Sequence, residues 1–143
     1  MTNKSLAILF VGLMFIAGLS SCQYPEGPTL SIASVTNRIS QEWEVLSATD
    51  SAGNDISDNY DEVEYDFEDD RDAEATLEIA GIPFEFEVTW DLDNDETIFE
   101  LDLAQKDLSI VTVKKSYEIL RLTRSEFWLK DQENGDELRL EIK

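Results

Sequence analysis

Phe84-Glu85-Phe86-Glu87-Val88-Thr89-Trp90-Asp91-Leu92 places an apolar side chain at every second position, with acids and one threonine between. A period of two puts the apolar set on one face of a strand and the polar set on the other. The same alternation recurs at Val63, Tyr65 and Phe67, at Ala75, Leu77 and Ile79, at Phe99, Leu101 and Leu103, and at Leu138, Leu140 and Ile142. Strands buried on one face and wet on the other belong to antiparallel sheets, since parallel sheets bury both faces. The stretches 108–114, 117–123 and 127–130 are strand-like too. Their parity slips at Ile110-Val111 and at Ile119-Leu120, which a β-bulge would produce.

The connectors suit hairpins. Asp93-Asn94-Asp95, Ala80-Gly81-Ile82-Pro83 and Glu133-Asn134-Gly135-Asp136 are rich in turn formers, and Asn-Gly is the strongest short hairpin signal. From Trp43 onward the chain therefore predicts an all-β fold, an antiparallel up-and-down meander of about eight strands without helical crossovers. Such a meander closes into a barrel or folds over as a β-sandwich; the barrel is the expectation here and the sandwich the alternative. Ahead of it, Thr29 as N-cap with Ile32, Val35 and Ile39 at helical spacing predicts one short helix.

At the N-terminus, Lys4 is the only charge before an apolar run over residues 6–19. That run is shorter than the ~20 residues needed to span a bilayer and suits the core of an export signal. Leu19-Ser20-Ser21-Cys22 follows, and it resembles the lipobox of bacterial lipoproteins: an aliphatic residue, two small ones, then cysteine. The resemblance implies cleavage before Cys22 and a diacylglyceryl thioether on its sulfur, usually with an N-acyl chain. Each buried CH₂ contributes about 0.8 kcal/mol, so two or three chains anchor stably. It also accounts for a lone cysteine in an exported chain. The resulting division is a signal peptide at 1–21, a lipidated tether at 22–28 with two prolines and a glycine, and a domain at 29–143. Gln23 is not the aspartate that the familiar sorting rule links to inner-membrane retention. An outer-membrane lipoprotein facing the periplasm or the cell surface is expected.

Composition removes several functions. The chain has 32 Asp and Glu against 11 Lys and Arg, a net charge of −21, and no histidine. Loss of Lys4 with the leader makes the mature part more acidic still. Such a field repels nucleic-acid phosphates, so no nucleic-acid partner is expected. Without histidine, and with Cys22 assigned to lipid, Ser-His-Asp and Cys-His catalysis and the usual zinc sites drop out. Carboxylate pairs and a Ser-Lys arrangement survive the count, but neither has a motif. No enzyme activity and no cofactor are expected.

The mature sequence resembles the small lipocalin-like lipoproteins of Gram-negative bacteria. The likeness rests on the lipobox, a short helix before Gln41-Glu42-Trp43-Glu44-Val45, a Phe/Trp-rich middle, and Tyr117-Glu118-Ile119-Leu120-Arg121-Leu122-Thr123 leading into Phe127-Trp128-Leu129. Gln41 stands where the lipocalin Gly-x-Trp has its glycine. The resemblance implies a barrel able to hold a small apolar molecule and fixes no catalytic residue.

The candidate ligand pocket is lined by Trp43, Tyr65, Phe67, Phe84, Phe86, Trp90, Phe99, Tyr117 and Phe127, whose rings would stack on a flat or apolar molecule. The competing reading has the same rings filling the barrel, each burying roughly 150–250 Å², which would leave an interaction or envelope-structural module. Asp91, Asp93 and Asp95 open like a calcium loop. Glu96 and Asp102 occupy the places where an EF-hand needs glycine and a bidentate glutamate, so a solvated turn is the expectation, with weak, non-helical Ca²⁺ binding between neighbouring loops as the alternative. A second acidic region, Asp58, Asp61, Glu62, Asp69, Asp70 and Asp72, reads as a loop and a wet strand face.

Overall fold

One-sided strands bury their apolar face only if the sheet curls on itself or meets another layer. The computed structural model, which describes residues 24–27, 32–61, 63–79, 82–105 and 112–143, shows it curling. Eight antiparallel strands run in chain order: β1 (Glu42–Thr49), β2 (Val63–Phe67), β3 (Asp72–Ile79), β4 (Ile82–Leu92), β5 (Ile98–Gln105), β6 (Thr112–Leu122), β7 (Glu126–Asp131) and β8 (Glu137–Ile142). Each pairs with its sequence neighbours, and β1 pairs with β8, so the sheet is a closed barrel rather than a sandwich. Closure gives every strand a neighbour on each side.

The stretches 108–114 and 117–123 contribute to one long strand, because Val113, Lys115, Tyr117 and Ile119 continue a single parity through the two lysines. The slip expected at Ile119-Leu120 is present as a register shift between Ile119 and Arg121, while that at Ile110-Val111 lies outside the described residues. A second shift, between Val45 and Ser47, turns Leu46 out to solvent and returns Ala48 to the interior.

The helix α1 is shorter than its spacing suggested, Val35–Ile39, and its N-cap is Ser34, whose hydroxyl accepts from the Asn37 amide at 3.2 Å. Ile32 lies outside the helix and is fully exposed; Thr29 lies outside the described residues. A serine three residues before Asn37 supplies an acceptor where the first turn needs one, so the helix starts there. α1 plugs one end of the barrel. Val35 and Ile39 are buried, and Arg38 donates to the Leu122 carbonyl at 2.7 Å. Gln41, in the place of the lipocalin glycine, uses its side-chain amide to tie the Arg38 carbonyl to that of Arg124.

The stretch read as a tether is seated on the barrel as far as it is described. Tyr24 is buried beside Arg38, the Glu26 amide donates to the Leu120 carbonyl at 2.8 Å, and Arg121 donates to the Glu26 carbonyl at 2.6 Å. The ring of strands and its plug lie wholly within residues 24–143.

Five aromatic side chains pack against one another in the plugged half. Trp43 meets Phe127 at 5.6 Å between ring centroids, Phe127 meets Phe99 at 5.2 Å, and Phe99 meets Phe67 and Trp90 at 5.4 and 5.8 Å. The edge and tilted geometries are those aromatic quadrupoles favour. The indole N–H groups of both these tryptophans are satisfied: Trp43 donates to the Ile39 carbonyl of α1 at 2.8 Å and Trp90 to the Glu68 carbonyl in the β2–β3 turn at 3.1 Å. Replacing Trp43 by alanine removes a fully buried ring and the hydrogen bond that seats α1. The expected loss is about 3–5 kcal/mol of unfolding free energy, measured by urea denaturation; a loss below about 1 kcal/mol would show that the plugged half does not hold the barrel.

Candidate functional site

The opposite half of the barrel is open. Here Tyr65 on β2, Phe86 on β4, Leu101 and Leu103 on β5, and Val113, Lys115 and Tyr117 on β6 all point inward, and Tyr60 leans over them. They surround an apolar cavity of about 320 Å³, near the lower bound for small-molecule sites. Tyr60 comes from a 3₁₀ turn (Ser57–Tyr60) between β1 and β2, held when Ser57 Oγ accepts from the Ala48 amide at 3.0 Å. The Tyr65 ring stacks on Phe67 at 5.6 Å and 6°, so the cavity stands directly on the packed half.

The nine aromatic candidates therefore divide by height. Tyr65, Phe86 and Tyr117 line the cavity. Trp43, Phe67, Trp90, Phe99 and Phe127 belong to the packed floor beneath it. The side chain of Phe84 lies outside the described residues.

Sequence reasoning missed Lys115 and Asp131, the inward charges of this half. Asp131 is 5% exposed. One of its carboxylate oxygens accepts from Lys115 Nζ at 3.1 Å, and the other accepts from the Glu133 amide at 2.7 Å, capping the β7–β8 turn. Glu133 takes a second hydrogen bond from the same ammonium at 3.2 Å. The signal was present: Lys115 shares the parity of Tyr117 and Ile119, and Asp131 that of Phe127 and Leu129.

Burial acts to raise the Asp131 pKa, but the Glu133 amide and the Lys115 ammonium outweigh it and hold the carboxyl below its usual value. The Asp131 hydrogen bond raises Lys115 against the opposing effect of burial. Burial also pushes Tyr65 up to about 12 and Tyr117 higher still, so both phenols stay neutral at physiological pH.

The calcium-like acids do not converge. Asp91 pairs with Arg71 at 3.1 Å on the outer face. Asp93 accepts from the amides of Thr97 and Ile98 at 2.7 and 2.8 Å, which closes the β4–β5 turn and draws its pKa down. Asp95 stands exposed beside it. Among the described residues no three acids gather as a metal site. A shallow groove of about 410 Å³ on the outer face, lined by Asp91, Glu100, Asp102 and Lys114, is crossed by the Lys114–Asp102 ion pair and lacks the apolar walls of the cavity.

A lipocalin-like protein from Bacteroides uniformis, known from a crystal structure, superposes with a TM-score of 0.61 over 74% of this chain and 99% of its own, at 15% identity. The fold is lipocalin-like. No protein-family model matches the chain, and no curated protein matches it in sequence.

In this lipocalin-like barrel the Asp131 pair has a pH signature. A carboxyl with a depressed folded-state pKa stabilises above its unfolded pKa, and the stabilisation disappears as pH falls through the folded value. Asp131→Asn should lower stability by about 1–3 kcal/mol at pH 7, and the gap to the wild type should narrow as pH falls below 3.8, the usual aspartate value. Urea titrations at pH 7 and pH 3 check this; an equal gap at both would remove the charge from the account.

Proposed function

We propose that this chain is a lipid-anchored protein of the bacterial cell envelope, acylated on Cys22, that binds one small apolar or aromatic molecule in the open half of its barrel. The observation that carries the binding reading is the division of the interior. Five aromatic rings are enough to close one half, yet the other half keeps a cavity of about 320 Å³ walled by Phe86, Leu101, Leu103 and Val113. A barrel serving only as a rigid module would be expected to fill both halves, since voids forfeit dispersion contacts.

Native mass spectrometry on residues 23–143, purified from the native host without detergent, tests it. A reproducible added mass that vanishes on unfolding is the expected result. A bare mass that stays bare with pooled envelope lipids present would overturn the binding reading.

The anchor is supported by Leu19-Ser20-Ser21-Cys22 and by the otherwise unexplained single cysteine. It also sets an orientation. Cys22 precedes the buried Tyr24 by two residues, a reach of about 7 Å at most, so lipid on Cys22 would hold the plugged end toward the bilayer with the mouth away from it. Cys22→Ala should abolish palmitate incorporation and release the protein from membranes. In vesicles with brominated acyl chains, a fluorophore at Ser125 beside the plug should be quenched more than one at Asn134 beside the mouth. The reverse order would overturn the orientation.

A further inference from the structure

The cavity has a chemical preference beyond being apolar. Tyr117 is 8% exposed, lies between Phe99 and Asp131 in register, and lines the cavity wall. A phenol O–H facing an apolar cavity donates to whatever acceptor shares that space, so a ligand oxygen that takes the place of solvent keeps the hydrogen bond while the rest of the ligand is buried. Tyr65 lines the same cavity and offers a second phenol. Neither phenol ionises near neutrality, so both remain donors.

The cation at the site is already engaged. Lys115 donates to Asp131 at 3.1 Å and to Glu133 at 3.2 Å, and Asp136 adds a further negative charge beside Tyr60 and Tyr117. An entering carboxylate would meet two acids for every ammonium it tried to share, inside a chain whose net charge is −21. Like charges brought together at reduced dielectric repel more strongly than in water.

We propose that the cavity takes a neutral apolar molecule bearing a hydrogen-bond acceptor, a ketone, ester, ether or alcohol oxygen bonded by the Tyr117 hydroxyl, and discriminates against the corresponding carboxylate. This rests on the cavity being a binding site at all, and the test separates the two. Residues 23–143, which contain the complete ring and plug, are titrated at pH 7 by calorimetry with decan-2-one and with decanoate. The ketone is expected to bind at least about ten-fold tighter, and Tyr117→Phe, with its far-UV spectrum unchanged, to weaken ketone binding about three- to ten-fold, the effect of one neutral hydrogen bond. Decanoate binding as well as the ketone would overturn the charge selection and leave the cavity reading standing. Unchanged ketone affinity in Tyr117→Phe would overturn the role of that hydroxyl. Binding of neither compound would count against the cavity reading itself.

Discussion

The barrel depends on the aromatic contact chain from Trp43 through Phe127 and Phe99 to Phe67 and Trp90. These rings come from β1, β7, β5, β2 and β4, so one cluster joins strands distant in sequence. It also holds the helix α1 and the β2–β3 turn in place. Trp43 Nε1 reaches back to the Ile39 carbonyl, and Arg71, held at a positive φ of 80°, lies over the Trp90 ring at 4.5 Å. Burying several large rings at one level contributes the apolar area that closing long-range pairs such as β1 with β8 requires.

A dense half permits an open one. Because the plugged half carries the packing, the other end can forgo some contacts without unfolding the ring, and it keeps a cavity lined by Tyr65, Phe86, Leu101 and Leu103. The charges follow the same division. Outward acids hold the surface in water, whereas Lys115 and Asp131 turn inward at the open half and neutralise each other across β6 and β7. An inward ion pair survives because Asp131 also accepts from a turn amide and Lys115 is partly solvated. Lys115 is thereby engaged within the protein by Asp131 and Glu133.

Much of the fold was legible. Strict alternation in β4 and its neighbours assigned each side chain a face, the turn residues marked the hairpins, and short connections ordered the strands as a meander. The helix was found but placed too early, since apolar spacing around Ile32 cannot outweigh the cap that Ser34 provides. One strand was divided in two because the lysines of Lys114-Lys115 interrupt the apolar pattern without interrupting the backbone parity. The site was legible only in part. Aromatic type drew attention to rings that belong to the floor as readily as to the cavity, and drew it away from Leu101, Leu103 and Lys115.

By itself the sequence determined the period, and with it the all-β class and the set of residues facing inward. A period of two specifies a face but carries no information about height along the barrel axis. Height is set by strand stagger, by the register shifts at Val45/Ser47 and Ile119/Arg121, and by which end α1 occupies. Only the tertiary structure therefore decided closure through β1 and β8, the separation of Phe67 in the floor from Tyr65 in the cavity, and the meeting of Lys115 with Asp131. Residues two apart on one strand share a face and can still belong to different halves of the molecule.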